Sequence, residues 1–205
     1  MKLMLGYISV NLKAMIDEIG ESAVKALLSN FSCPLNKDVE QFLRIKAIEF
    51  SKQGIAQTHL VFAQYKDKPV LVGYFTLANK FLAIYKSSLS SSYRKRMSRF
   101  CQFDPEFKRY TLAAPLIAQL GKNYYNGYNK LISGDELLKM ACDKVSESQR
   151  IIGGKIVYLE CEDKVKLIEF YSSNGFVAFG KRKLDRDETE VMQGEYLIQM
   201  LKYLK

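Results

Sequence analysis

The sequence is poor in the residues that hydrolytic and metal chemistry need. Its one histidine, His59, sits in the apolar run THLVFA with no carboxylate or thiol close in sequence. A Ser-His-Asp or Cys-His arrangement would have to recruit that imidazole, whose setting reads as a strand, so serine and cysteine hydrolase readings are set aside. The four cysteines, Cys33, Cys101, Cys142 and Cys161, lie far apart and form no Cys-x-x-Cys pair. That spacing supports neither a metal site nor a disulfide framework. No run of roughly 18 apolar residues is present to cross a bilayer. The start, MKLMLGYISVNLK, is too short and too interrupted for a secretory leader. The expectation is a soluble, cytoplasmic protein with no membrane contact. Acidic residues are also scarce, 22 against 31 basic ones, and the net charge of +9 should attract polyanions. Much of that excess lies in SSLSSSYRKRMSRF, residues 87 to 100, where a serine run precedes Arg94, Lys95, Arg96 and Arg99.

What is present is enough apolar residue, 48% of 205, to bury a substantial core. With no repeat and no long linker, residues 1 to 205 read as one domain with a basic insert at about 86 to 105. YISV reads as a first strand. Helices are expected from Glu21 to Phe31 and from about Asp38 to Lys52, the second stopped by Gly54. HLVFAQY and VLVGYFTL are β-rich runs joined by KDKP, which is turn chemistry between antiparallel neighbours. TLAAPLIAQLG reads as a buried strand in which Pro115 removes a ladder donor, implying an edge, a bulge or a splay. Ser133 and Glu136 open the next helix, over 133 to 150, as a capping box. KIVYLEC, DKVKLIEFYSS, FVAFGKR and EYLIQMLKYL continue as strand, helix, strand and strand, though QMLKYL also suits a helix. The order predicts an α+β fold: a mixed, mostly antiparallel sheet of about six to seven strands with helices on both faces.

Within IEFYSSNGF, Tyr171 lies four residues before Gly175, and Leu167, Ile168 and Tyr171 share a helix face. Two readings stand for this tyrosine. One is a core aromatic with a satisfied hydroxyl; the other is a proton donor. Of the carboxylates, Glu160 and Glu162 flank Cys161 at a strand end and Glu106 is a further candidate base, but none is assigned.

This order and these motifs resemble the GNAT superfamily of acyl-CoA-dependent N-acetyltransferases. IEFYSSNGF is similar to that family's aromatic-Tyr pair followed by three variable residues and Gly-Phe, and SGDELL to the Gly-x-x-Leu-Leu that opens its cofactor-facing helix. FSCPLNKDVEQFLRIKA, GIAQTHLVF and VLVGYFTL look like the N-terminal part of the toxin-like branch. The resemblance covers most of residues 31 to 182. In the pyrophosphate loop, aligned on Gly134, Ile132 replaces a glycine, and Gly127 lies too early to stand in for it. The loop KNYYNGYNKLI is about two residues longer than in that branch.

The resemblance implies an acetyl-CoA-dependent transfer to a primary amine, with Tyr171 as general acid to the leaving thiolate. It places backbone groups of Leu120, Gly121 and Lys122 against the pantetheine arm and the acyl carbonyl. Asn129, Lys130, Ser133, Gly134 and Asp135 would surround the pyrophosphate, for which a helix N-terminus is a ready anion site. An aminoacyl-tRNA acceptor suits the toxin-like front half and the basic segment. The branch also leaves room for a homodimer and for an antitoxin-like protein partner. The alternative is a non-catalytic module of this fold that binds acyl-CoA or nucleic acid in regulation.

Overall fold

The computed structural model describes residues 6 to 184 and 195 to 204. The leader reading rests in part on MKLML, which lies outside the described residues. The chain forms two compact units, Met1–Ala78 with Ala118–Asp143, and Asn79–Ile117 with Lys144–Lys205. Eight strands are described. These are β1 (Ile8–Asn11), β2 (Gln57–Tyr65), β3 (Lys68–Tyr85), β4 (Gln102–Asp104), β5 (Arg109–Lys122), β6 (Ile156–Glu162), β7 (Val177–Lys183) and β8 (Tyr196–Tyr203). Two of them, β3 and β5, run through both units.

In the first unit the strand order is β1-β2-β3-β5. β1 pairs antiparallel with β2, from Ile8 on Phe62 to Asn11 on His59. The hairpin expected at KDKP forms, turning on Lys66 and Asp67 with φ of 49° and 60°. Two consecutive positive φ values give the turn whose twist matches the strands it joins. Between β1 and β2 come α1 (Leu12–Ile19), α2 (Glu21–Ser29), α3 (Lys37–Gln41) and α4 (Ala47–Lys52). The Asn11 Oδ1 starts α1 by accepting from the Ala14 N–H at 3.0 Å, and Asn36 starts α3 in the same way through Val39. The expected helix over Asp38 to Lys52 carries a π-helical stretch, Phe42–Lys46, between α3 and α4. The apolar faces of these helices meet β2 and β3 in a core of Leu12, Val24, Leu28, Phe31, Leu43 and Leu60. Tyr74 is fully buried there and its hydroxyl donates to the Val39 carbonyl at 2.6 Å. Desolvation holds its phenol well above the ordinary range.

In the second unit the order is β3-β5-β6-β8-β7, and β4 folds back on β5 as a short hairpin. This β4 is the strand beyond the seven that periodicity marks. The segment EYLIQMLKYL is a strand, β8, because it is paired on both sides, by β6 and by β7. The parallel pairing of β5 with β6 is confined to Leu116 on Tyr158 and Ile117 on Leu159. Pro115, just before these two rungs, has no N–H to extend the ladder backward. α5 (Ser91–Met97) follows Ser90 as its cap in the basic stretch, and α7 (Val165–Ser173) joins β6 to β7. α6 (Gly134–Ile152) begins in the first unit and ends in the second. The core here gathers Leu82, Ile84, Met97, Tyr110, Tyr158 and Phe179.

Candidate functional sites

The first site lies in the first unit, where β5 ends and α6 begins. Ser133 and Glu136 form the expected capping box. The Ser133 Oγ accepts from the Glu136 N–H at 3.1 Å, and the Glu136 carboxylate accepts from the Ser133 N–H at 2.8 Å. That carboxylate therefore sits where an external anion at the helix start would be drawn. Its pKa is lowered, first by the Ser133 backbone N–H and then by the Ser133 hydroxyl, Tyr7 and Lys122. The Tyr7 hydroxyl donates to the Leu131 carbonyl at 2.9 Å, and burial together with Glu136 raises its phenol.

Lys122 is tied into the same loop. Its ammonium donates to the carbonyls of Asn129 and Ile132 at 3.0 and 3.1 Å, closing the loop's last turn onto β5. Two carbonyl oxygens that would repel a phosphate are thereby neutralised. Lys130 is exposed on this loop, and Asn126 and Gly127 turn it with φ of 51° and 72°. Ser133 and Asp135 are exposed at the helix start, with Gly134 half-buried between them.

Gly121 has a packing role that its sequence context did not reveal. A Cβ built there would lie 2.3 Å from the Val39 Cγ1 and 3.3 Å from the Tyr74 ring. No side chain fits, and β5 therefore presses its backbone onto α3 at this point. Gly73 repeats the arrangement, its built Cβ falling 2.8 Å from the Gly121 carbonyl oxygen. Two residues before Gly121, the Gln119 amide donates to the Asp38 carboxylate at 2.8 Å. The sequence offered no signal for that pair, whose members are 81 positions apart.

The second site lies in the other unit, at the end of α7. The helix closes in a Schellman motif: the Phe176 N–H bonds to the Tyr171 carbonyl at 3.0 Å and the Gly175 N–H to the Ser172 carbonyl at 2.9 Å. Gly175 takes φ of 82°, as the Asn-Gly stop predicts. The hydrophobic contact that accompanies such a motif is made by Tyr171 itself, whose ring meets Phe176 edge-on at 6.0 Å. Tyr171 is thus a packing residue in its ring. Its hydroxyl takes no hydrogen-bond partner among the described residues. Burial, and secondarily the Cys161 thiol, push its pKa upward, so the phenol stays protonated. Cys161 is itself buried and pushed up to about 11, mainly by desolvation, which leaves no thiolate at neutral pH.

The neighbouring carboxylates are engaged. Glu160 accepts from the Arg182 guanidinium and from the Gln199 amide, both at 2.8 Å. Glu162 is paired with Lys164 at 2.9 Å. Glu106 sits exposed in the β4–β5 turn, its N–H bonded to the Asp104 side chain at 3.1 Å. Among the described residues no group of three or more His, Cys, Asp or Glu side chains is placed to hold a metal ion, and no helix is long and apolar enough to cross a membrane.

This mixed sheet, with its two-rung parallel junction, has the GNAT-like architecture that the sequence resemblance implied. Solved structures agree. AtaT complexed with acetyl-methionyl-tRNAfMet is similar at TM-score 0.60 and 14% identity, covering 94% of each chain. A Tyr-to-Phe mutant of KacT is similar at TM-score 0.60 and 14% identity, over 94% of this chain and 93% of that one. AtaTR bound with AcCoA matches at TM-score 0.54 and 14% identity, over 94% and 91%. No protein-family model and no curated protein matches the sequence.

Proposed function

We propose that this protein is an acetyl-CoA-dependent N-acetyltransferase that moves the acetyl group directly to a primary amine, with aminoacyl-tRNA as the acceptor class. The observation that carries the reading is Tyr171, a half-buried, protonated phenol with no hydrogen-bond partner among the described residues, at the closure of α7 in a GNAT-like fold. Support for the donor and the acceptor comes from neighbours of the same fold, one bound with AcCoA and one complexed with acetyl-methionyl-tRNAfMet. A neutralising partner is part of the proposal, since an AtaT mutant of this fold is bound to the C-terminus of the antitoxin AtaR.

Bound acetyl-CoA supplies the activated thioester. Attack by a neutral amine forms the amide bond and breaks the carbon–sulfur bond, leaving a thiolate. The Tyr171 hydroxyl donates to that sulfur. A simple thiol titrates near 8.5 and tyrosine near 10, so full proton transfer is uphill by about 1.5 units, roughly 2 kcal/mol, before burial adds more. Tyr171 therefore acts chiefly as a hydrogen-bond donor that lowers the charge on the departing sulfur. The amine proton leaves through water, as Glu160 and Glu162 are held in their own pairs. In the first unit, backbone groups of Leu120, Gly121 and Lys122 are assigned to the arm and acyl group. Ser133, Gly134 and Asp135, with Asn129 and Lys130, are assigned to the pyrophosphate. Asp38, fixed by Gln119 one position before Leu120, offers a carboxylate to an incoming ammonium.

The test is thiol release from acetyl-CoA with mixed amines and charged tRNA, comparing the parent with Tyr171→Phe. The variant should lose at least about tenfold in kcat with its acetyl-CoA affinity kept, as expected for a donor acting in the transition state. The second reading, a module that binds without turnover, is favoured by the Glu136 carboxylate occupying the helix start. Measurable acetyl-CoA binding without thiol release for any amine would establish that module in place of the enzyme.

A further inference from the structure

We propose that the surface built from the end of β3, α5 and the β4–β5 hairpin binds single-stranded RNA, with its phosphates on the α5 cations and one splayed base in the cavity beside Phe100. The proposal rests on the RNA-borne acceptor above, but its residues all belong to the second unit and its test needs no acetyl-CoA.

Charge is concentrated here. Residues 79 to 109 hold eight lysines and arginines against Asp104 and Glu106, a surplus of six out of the whole chain's nine. Buried Leu89 and Met97 anchor α5; Lys95 stands exposed on it and Arg99 just beyond its end. Aromatic rings are interleaved with these cations. At the end of β3, Leu82 and Ile84 point into the core, while Phe81 and Tyr85 are 77% and 57% exposed. Arg109 lies 4.6 Å from the Phe107 ring centre, and Lys86 lies 5.5 Å from that of Phe103. Arg96 is held between Tyr93 and Tyr203, at 5.9 and 5.4 Å. Cations beside open rings form the pattern that grips a sugar-phosphate chain and stacks its bases.

The cavity gives the second, independent observation. It is a half-open recess of about 420 Å³ against β5 and the turn from α6 to β6. Phe100 forms one wall, braced by Tyr203 at 6.0 Å. Asn79, Thr111, Lys155 and the Gly153-Gly154 peptide face the same space. A flat π-face with polar groups at its rim suits an unstacked nucleobase, which presents hydrogen-bonding edges around an aromatic plane. A lipid chain would leave those polar groups without partners, at a cost. A duplex keeps its bases stacked and would leave the cavity unfilled.

Fluorescence anisotropy with a fluorescein-labelled single-stranded RNA of mixed sequence, titrated across a range of KCl, tests the inference. Binding should weaken steeply with salt. Lys95→Glu with Arg99→Glu should weaken it at least about tenfold and lower the log–log salt slope by about 1.4, two contacts at roughly 0.7 each. Phe100→Leu should weaken it about fivefold with the slope unchanged, since stacking carries no counterion release. Thermal melts of all variants should match the parent, as the altered side chains are at least partly exposed. Equal affinity for the matching RNA duplex, or no salt-dependent RNA binding, would overturn the proposal. So would capture by phosphatidylserine vesicles in preference to RNA with the same dependence on Lys95 and Arg99, which would make this a membrane face. RNA binding with these signatures in a protein that ignores acetyl-CoA would leave this surface standing and remove the transferase reading.

Discussion

Glu136 decides how well the start of α6 can hold a diphosphate, and neutralising it is the sharpest perturbation the structure offers. In Glu136→Gln the amide keeps the capping-box geometry toward the Ser133 N–H while removing the charge. Two terms then favour an anionic ligand. The carboxylate's charge-assisted bond to Ser133 is worth about 1.5–3 kcal/mol when shielded, and about 1 kcal/mol at this exposed position. Repulsion between unit charges about 4 Å apart in water adds about 1 kcal/mol. Displacing or tolerating Glu136 therefore costs a diphosphate about 1–2 kcal/mol, which is roughly five- to thirtyfold in Kd. Calorimetric titration with acetyl-CoA should show Glu136→Gln binding tighter by that factor, most clearly at low salt. Glu136→Ala should tighten binding similarly but lose about 1 kcal/mol of stability with the cap. The pH dependence has a defined sign. The folded pKa of Glu136 lies below its ordinary 4.5, so its stabilising contribution is complete above that value and disappears as acid carries the pH down through the folded pKa. The parent's acid melting curve should therefore fall more steeply than that of Glu136→Gln. Affinities within twofold for the parent and both variants would refute a diphosphate seat at this helix.

Gly121→Ala should cost about 1–3 kcal/mol in urea denaturation, because its new methyl would fall 2.3 Å from Val39. Val39→Ala should restore much of that loss in the double variant although it is destabilising alone; additive losses would show that the close contact is not the cause. Replacing Lys66-Asp67 with Asn-Gly should raise stability by about 0.5–1 kcal/mol, since both positions have positive φ. An unchanged denaturation midpoint would argue against that turn geometry.

The features legible in the sequence were those written in neighbouring residues. The KDKP hairpin, the Ser133–Glu136 cap and the Asn-Gly stop after Tyr171 all rest on bonds within six positions, and all formed. What was missed depends on distance or on subtle phase. α1 follows β1 without a gap, and only Asn11 marks the junction. The π-helical stretch at Phe42–Lys46 is a shift of hydrogen-bond partner, which side-chain periodicity does not record. β3 runs eight residues beyond VLVGYFTL because the alternation of Phe81 to Tyr85 is hidden in an almost wholly apolar run. In the first site, Lys122 and Gly121 could be singled out but their partners could not. A lysine bonded to two carbonyls, and a glycine pressed on Val39, leave no mark in local spacing.

The closure of α7 ties two properties to one short phrase of sequence. Because Tyr171 supplies both the carbonyl that caps the helix and the ring that seals it onto Phe176, Gly175 governs where that hydroxyl points without touching it. An insertion or deletion anywhere from Ser172 to Gly175 would move Phe176 off the Tyr171 carbonyl and ring, and remove the phenol's brace together with the stop signal.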